Sequence, residues 1–133
     1  MILRKECSQI IEQILDSYGD FLGKDREGYT NHCIRVAHLC LSIASEKPSS
    51  LEKICISAAF HDLGIWTAQT FDYLEPSENL AKRYLVSMGK QEWESEIISM
   101  ISNHHKVSPC KEENMGLTEA FLTFLDDRYP GFL

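Results

Sequence analysis

The sequence contains no long hydrophobic run. No apolar stretch approaches the roughly 20 residues that a membrane-spanning helix needs. Arg4 and Lys5 lie near the N-terminus, but no long apolar stretch follows them, so this end does not resemble a signal peptide. We therefore expect neither a transmembrane segment nor a secretory leader, and we expect the protein in the cytoplasm.

Positive charge is also scarce. The chain has 13 Lys and Arg against 20 Asp and Glu, which gives a formal net charge of −7. Because an acidic chain without a basic run repels phosphate backbones and anionic lipids, we expect no nucleic-acid polymer and no membrane as a partner. A small phosphorylated metabolite or nucleotide remains compatible with this charge, since one local cationic site can hold it.

Disulfide-forming patterns are missing as well. The chain has 5 cysteines, an odd number, and no two of them form a Cys-x-x-Cys pair. Disulfide frameworks use paired cysteines in an oxidising compartment. We therefore expect reduced thiols in a cytoplasm at Cys7, Cys33, Cys40, Cys55 and Cys110.

Strand-like runs of Val, Ile and Thr are absent too. Instead, apolar residues recur every three or four positions, which is the period of an amphipathic helix. The chain of 133 residues, with 44% hydrophobic and 25% charged residues, suits one ordinary globular domain. We therefore predict that residues 1–133 form a single compact all-α domain of about six helices.

Glycines, prolines and capping serines set the predicted helix boundaries. The third helix is apolar nearly all round between residues 55 and 60, so we expect it to be the central, most buried helix. Residues 20–28 and 66–76 are predicted to be connections. The six predicted helices cover residues 2 to about 19, 31–45, 51–63, 76 or 77 to 89, 91–105 and 117–128.

The dipeptide His61-Asp62 ends the most apolar helix. Burying an unpaired carboxylate costs several kcal/mol, so Asp62 needs a cation or hydrogen-bond donors. A divalent metal supplies that compensation, and imidazole together with carboxylate suits Fe, Mn, Zn or Ni. For an isolated dipeptide, a solvated or backbone-bonded helix end is the commoner explanation.

Other chemically competent residues flank this dipeptide in the sequence. Tyr29, His32 and Arg35 follow the pattern Tyr-x-x-His-x-x-Arg-Val, which places His32 and Arg35 near one another on a helix. His104 and His105 end the fifth predicted helix. An acidic pair, Asp126-Asp127, lies late in the sixth.

The stretches YTNHCIRV, AAFHDLGIW and MISNHHK together resemble the HD superfamily of metal-dependent phosphohydrolases. The family pattern is an early His, a His-Asp dipeptide in a central helix and a late Asp. The resemblance extends from about Tyr29 to Asp127 and implies an all-helical, HD-domain-like fold. It implies that the metal ligands are His32, His61, Asp62 and a late aspartate, for which Asp126 is our choice and Asp127 the substitute.

The resemblance also implies a reaction, hydrolysis of a nucleotide or another small phosphate ester by a phosphomonoesterase or phosphodiesterase. Because residues 63–103 contain no histidine, we expect one divalent ion per chain, with Fe, Mn, Zn, Ni, Co and Mg all open. Asp62 would orient or deprotonate the attacking water. Arg35 and either His104 or His105 would act on the substrate phosphate, with His104 as our choice, and Lys106 is a weaker candidate.

Two alternatives remain open. A catalytically impaired HD-fold binding or regulatory module is favoured by the uncertain fourth ligand and by the end of the chain soon after Asp126. A di-iron HD-type oxygenase is disfavoured by the missing intermediate histidines. At the residue level, Arg35 can equally form a surface salt bridge. Oligomeric state is also left open, with a dimer as one option.

Overall fold

The structure, a computed structural model, describes residues 2–41, 48–70 and 72–102. These residues form no strand, which confirms the all-α prediction for them. None of their helices is long and apolar enough to cross a membrane. The helices are α1 (Ile2–Asp16), α2 (Gly19–Leu22), α3 (Arg26–Leu41), α4 (Pro48–Phe60), α5 (Gly64–Thr67), α6 (Leu74–Ser87) and α7 (Glu94–Ser102).

The apolar side chains of α1 form one stripe along the helix. Spacings of three and four residues place them on the same side, while the intervening Glu12 is exposed. Through this stripe α1 packs against α3 and α4. The buried residues of the stripe are Cys7, Ile11, Ile14 and Leu15.

The central helix is α4, as its sequence predicts. All residues from 54 to 60 are buried, and α4 packs against α1, α3, α6 and α7. A helix that is apolar nearly all round is stable only where neighbours cover every side. The C-terminal end of α4 therefore delivers the following residues, His61 and Asp62, into the core.

Two predicted connections contain helical turns, so those two predictions are partly wrong. Residues 20–28 include α2 and the start of α3, and residues 66–76 include the end of α5 and the start of α6. Leu22 explains the first difference: its side chain is 2% exposed, so it anchors this otherwise polar segment to the core. The sixth predicted helix, residues 117–128, lies outside the described residues.

The end of α6 is defined by Gly89, as predicted. Gly89 has a φ of +69°, a conformation that suits glycine because it has no Cβ. The N–H of Lys90 donates to the Leu85 carbonyl at 2.8 Å, and the N–H of Gly89 donates to the Val86 carbonyl at 3.1 Å. This pair of hydrogen bonds is a Schellman motif, which satisfies the last carbonyls of the helix.

Cysteine pairing differs from the sequence-based expectation. Cys7 of α1 and Cys55 of α4 form a disulfide, so the prediction of reduced thiols is wrong for this pair. The packing of α1 on α4 brings their Cα atoms to 5.7 Å, within disulfide range, and sequence spacing does not reveal this. Cys33 and Cys40 are free and buried thiols.

Candidate metal centre

Three side chains that the sequence singles out meet between α3 and the end of α4. His32 lies on α3, and His61 and Asp62 follow α4 directly. The chain continues as a tight turn there, because the N–H of Leu63 donates to the Phe60 carbonyl at 3.2 Å. Since α3 packs along α4, His32 faces this turn from the neighbouring helix.

The donor atoms of these three side chains converge. His32 Nε2 lies 3.0 Å from His61 Nε2, and His61 Nε2 lies 3.0 Å from Asp62 Oδ2. The third separation, between His32 Nε2 and Asp62 Oδ2, is 3.8 Å. His32 is 4% exposed, and the other two residues are fully buried. Two imidazoles and a carboxylate thus point at one another inside the protein.

A hydrogen bond to the backbone orients the His61 ring. Its Nδ1 lies 2.6 Å from the carbonyl oxygen of Ala58. A carbonyl only accepts, so Nδ1 carries the proton and donates it. In neutral His61 this leaves the lone pair on Nε2, the atom that faces His32 and Asp62. A backbone hydrogen bond of this kind is how proteins orient metal-binding imidazoles.

Burial and charge act differently on the two histidines. Burial lowers the pKa of His32 to about 4, although the Asp62 carboxylate opposes this shift. Burial also opposes protonation of His61, but the Asp62 carboxylate and the Cys33 side chain together outweigh it and raise the pKa of His61 to about 10. The buried negative charge of Asp62 therefore favours a compensating cation at this site. In the absence of a metal ion, that cation is protonated His61.

The residues fit a divalent metal ion. Two imidazole nitrogens and one carboxylate oxygen are a donor set that transition metals favour. Their separations are all below twice the usual ligand–metal distance of about 2.1 Å, so a single ion can contact all three. The prediction that His32, His61 and Asp62 lie together is confirmed, and together they could hold a metal.

Tyr29 fixes the position of this dipeptide. Its hydroxyl donates to the Ala59 carbonyl at 2.8 Å and accepts from the N–H of Asp62 at 3.2 Å. Its ring stacks on His61 with centroids 6.1 Å apart. Sequence reasoning noted Tyr29 only as part of the pattern that precedes His32. The signal available was its position, one helical turn before a predicted ligand.

A second tyrosine, Tyr73, contacts the Asp62 carboxylate; it follows Asp62 in the sequence, whereas Tyr29 precedes it. The Tyr73 hydroxyl is hydrogen-bonded to Asp62, and burial, reinforced by that carboxylate, raises the pKa of Tyr73. The phenol therefore stays protonated and donates. The sequence places Tyr73 in the predicted connection 66–76 and does not indicate this hydrogen bond.

Cys33 is also closer to the centre than its neighbouring position on α3 suggests. Adjacent positions on a helix face different directions, which by itself would turn Cys33 away from the side of His32. Instead, the thiol is fully buried and interacts with the side chains of His61 and Tyr29. The reason is that α3 is covered at this point by the turn after α4, so two adjacent positions of α3 both contact that turn.

The remaining predicted residues lie beside the centre or outside the described chain. Arg35 is exposed, one turn after His32, and its charge contributes to the lowered pKa of His32. Five residues singled out in the sequence lie outside the described residues: His104, His105, Lys106, Asp126 and Asp127. Their proposed roles stay predictions.

Comparison with protein families matches residues 29–129 to the HD domain. The match covers most of the chain and includes all three residues of the candidate metal centre. No curated protein and no solved structure matched the chain. HD domains are all-α and form a superfamily of metal-dependent phosphohydrolases, in agreement with the helices and the donor cluster described above. The chain therefore belongs to the HD domain family.

Proposed function

We propose that this protein is a metal-dependent phosphohydrolase that acts on a nucleotide or another small phosphate ester. One divalent ion per chain would be held by His32, His61 and Asp62, with Asp126 or Asp127 as a fourth ligand. The single observation that carries the proposal is the convergence of two imidazole nitrogens and a carboxylate oxygen within 3.8 Å in a buried place. Fe, Mn, Zn, Ni, Co and Mg remain candidates.

Each of the proposed site residues has its own role in hydrolysis. When bound, the ion polarises a phosphoryl oxygen and lowers the pKa of a water from about 15.7 toward 7. Asp62 would hold the ion through one carboxylate oxygen. We propose that the same carboxylate orients the attacking water or accepts a proton from it. His104 is proposed to supply a proton or contact the phosphate, as its imidazole titrates near neutral pH.

Arg35 is proposed to bind the substrate phosphate. Its exposed guanidinium lies one helical turn after His32, close enough to lower the pKa of that histidine. A guanidinium can make a bidentate contact with phosphate oxygens. In a chain of net charge −7, such a local cation is what a small phosphate ester requires. We propose no nucleic-acid polymer and no membrane as a partner, and a cytoplasmic location.

The metal site is tested by elemental analysis of the purified protein beside two variants. We expect about one ion per chain in the wild type and at least a tenfold loss of occupancy in His61→Ala. His38→Ala is the matched control, because His38 lies on α3 but its Nε2 faces Ser8, at 3.4 Å from the hydroxyl. Equal occupancy in all three proteins would contradict the proposal.

The activity is tested with the metal-loaded protein on a panel of phosphate monoesters and diesters, including nucleotides. We expect hydrolysis that His61→Ala abolishes and that Arg35→Gln weakens mainly through a higher KM. An ion bound without hydrolysis of any panel member would overturn the enzymatic proposal in favour of a binding or regulatory module. Two irons per chain with oxygen uptake would overturn it in favour of an oxygenase.

A further inference from the structure

A groove of about 940 Å³ opens between α1 and α2 on one side and α5 and α6 on the other. We call it the α1–α6 groove, and its aromatic lining consists of Tyr18, Phe21 and Tyr84. Pockets that hold small organic ligands have volumes of about 300–1,000 Å³. None of the three donors of the metal centre lines it, so it is a separate place on the molecule.

The groove concentrates exposed apolar surface. Three large hydrophobic residues are exposed in the described part of the chain, and two of them, Phe21 at 54% and Met88 at 51%, line this groove. The rings of Tyr18 and Tyr84 pack against the buried ring of Phe60, with centroid distances of 6.1 and 5.5 Å. Aromatic walls on a rigid base favour a flat apolar ligand, which can stack against them.

The charge of the groove is opposite to that of the chain. Among the residues that the structure describes, its lining contains one cation, Arg83, and no aspartate or glutamate. The described residues supply no ion-pair partner for Arg83, and its charge reaches Tyr18, where it opposes the effect of burial on that phenol's pKa. Glu52 acts on the pKa of Tyr84, a residue of the lining, but its carboxylate is paired with Lys90.

We propose that the α1–α6 groove binds a small amphipathic anion, a flat aromatic molecule that carries one acidic group. The aromatic body lies against Tyr18, Phe21 and Tyr84, and the acidic group pairs with Arg83. Asn79 of α6 and Gln13 of α1 add amide groups that can hydrogen-bond to polar substituents. This proposal does not rest on the proposed phosphohydrolase activity, because none of His32, His61 and Asp62 lines the groove.

Two dyes that differ by one charge test the proposal. Anilinonaphthalene sulfonate has an aromatic body and one sulfonate, and phenylnaphthylamine is the same body without the charge. We expect the sulfonate to bind the purified protein with one molecule per chain and at least tenfold more tightly than the neutral dye, measured by emission on titration. Arg83→Gln is expected to weaken the sulfonate about tenfold and to leave the neutral dye unchanged.

Three further variants make the result specific. Phe21→Ser, at an exposed position that the fold does not need, is expected to weaken both dyes. Lys82→Gln removes a neighbouring cation of α6 that does not line the groove, and is expected to change neither. His61→Ala is expected to retain full binding. Equal affinity for the two dyes, no effect of Arg83→Gln, several dye molecules per chain, or loss of binding in His61→Ala would each overturn the proposal.

Discussion

At Gly64, the absence of a side chain allows a close approach beside the metal centre. A Cβ there would lie 2.5 Å from the Tyr73 carbonyl oxygen and 2.8 Å from Ser77 Oγ. Its N–H donates to that same Ser77 hydroxyl at 2.8 Å. This close approach joins the start of α5 to the start of α6, and it keeps Tyr73 beside Asp62.

Gly64→Ala is therefore expected to destabilise the protein, because a backbone carbonyl has to move to admit one methyl group. We expect the free energy of unfolding to fall by about 1–3 kcal/mol, measured by urea denaturation. Gly28→Ala is the matched control: it lies in α3, and a Cβ there meets nothing within 4 Å. That change is expected to stabilise the protein by about 0.5–1 kcal/mol, and equal effects of the two substitutions would contradict the argument.

Cys40 gives a prediction that depends on pH. Burial raises the pKa of its thiol well above the usual range. Because the thiolate is the reactive form, a raised pKa means less thiolate at pH 8 and slower alkylation. We expect iodoacetamide to leave Cys40 unmodified in the folded protein at this pH and to modify it once urea unfolds the chain. Mass spectrometry of the peptides measures this, and rapid labelling of folded protein would contradict it.

At the scale of elements, the junction of α3 with α4 depends on one hydroxyl. Tyr29 of α3 bonds the Ala59 carbonyl and the Asp62 N–H of the α4 end, and all three groups are buried. Removing the hydroxyl leaves the buried Ala59 carbonyl and the buried Asp62 N–H without this hydrogen-bond partner. Each buried polar group that loses its partner costs about 1–3 kcal/mol.

Tyr29→Phe is thus expected to lower the free energy of unfolding by about 1–3 kcal/mol, measured by urea denaturation with the metal removed. Tyr84→Phe serves as the control, because that phenol is only half-buried on α6, and its effect is expected to stay within about 0.5 kcal/mol. If both substitutions had the same small effect, the Tyr29 hydroxyl would not hold the two helices together.

The elements themselves were largely predictable. Each long helix of the described chain has apolar residues at helical spacing, and α4 was identified as central because it is apolar nearly all round. The short helices α2 and α5 were missed, since a single turn has too few residues to show a period. What anchors α2 is the burial of Leu22, which is a property of the assembled fold.

Part of the candidate site was also predictable from the sequence, because residue type and position on a helix are visible there. Imidazole and carboxylate next to one another at the end of an apolar helix indicate a buried ion site, so His61 and Asp62 are visible in the sequence. His32 was found through the family pattern. The hydrogen bond of Tyr73 to Asp62 was not foreseen, because it depends on the close approach at Gly64, and residue spacing does not encode such a contact.

At the scale of the whole molecule, metal binding is linked to folding. The proposed ion binds only where α3 and the end of α4 are packed together, so binding has to stabilise the folded state. At a hundredfold excess over Kd, the gain is about 2.7 kcal/mol, or roughly 10 °C in Tm for a chain of this size. Calorimetry with and without added metal and chelator measures the shift.

His38→Ala is expected to keep this shift, and His61→Ala is expected to lose it. The comparison separates the buried cluster from incidental binding at the many exposed carboxylates of an acidic chain. A wild-type Tm that stays constant with every candidate ion would contradict the assignment of His32, His61 and Asp62 as ligands.

Phe60 lies between the α1–α6 groove and the candidate metal centre. Its ring contacts Tyr18 and Tyr84 of the groove, and the next residue is His61. The proposed anion would contact Tyr18 and Tyr84, which pack on Phe60, and the proposed ion would bind the next residue, His61. Thermodynamic linkage then makes any cooperativity between them reciprocal: the factor by which the ion changes the Kd of the anion equals the factor by which the anion changes the Kd of the ion.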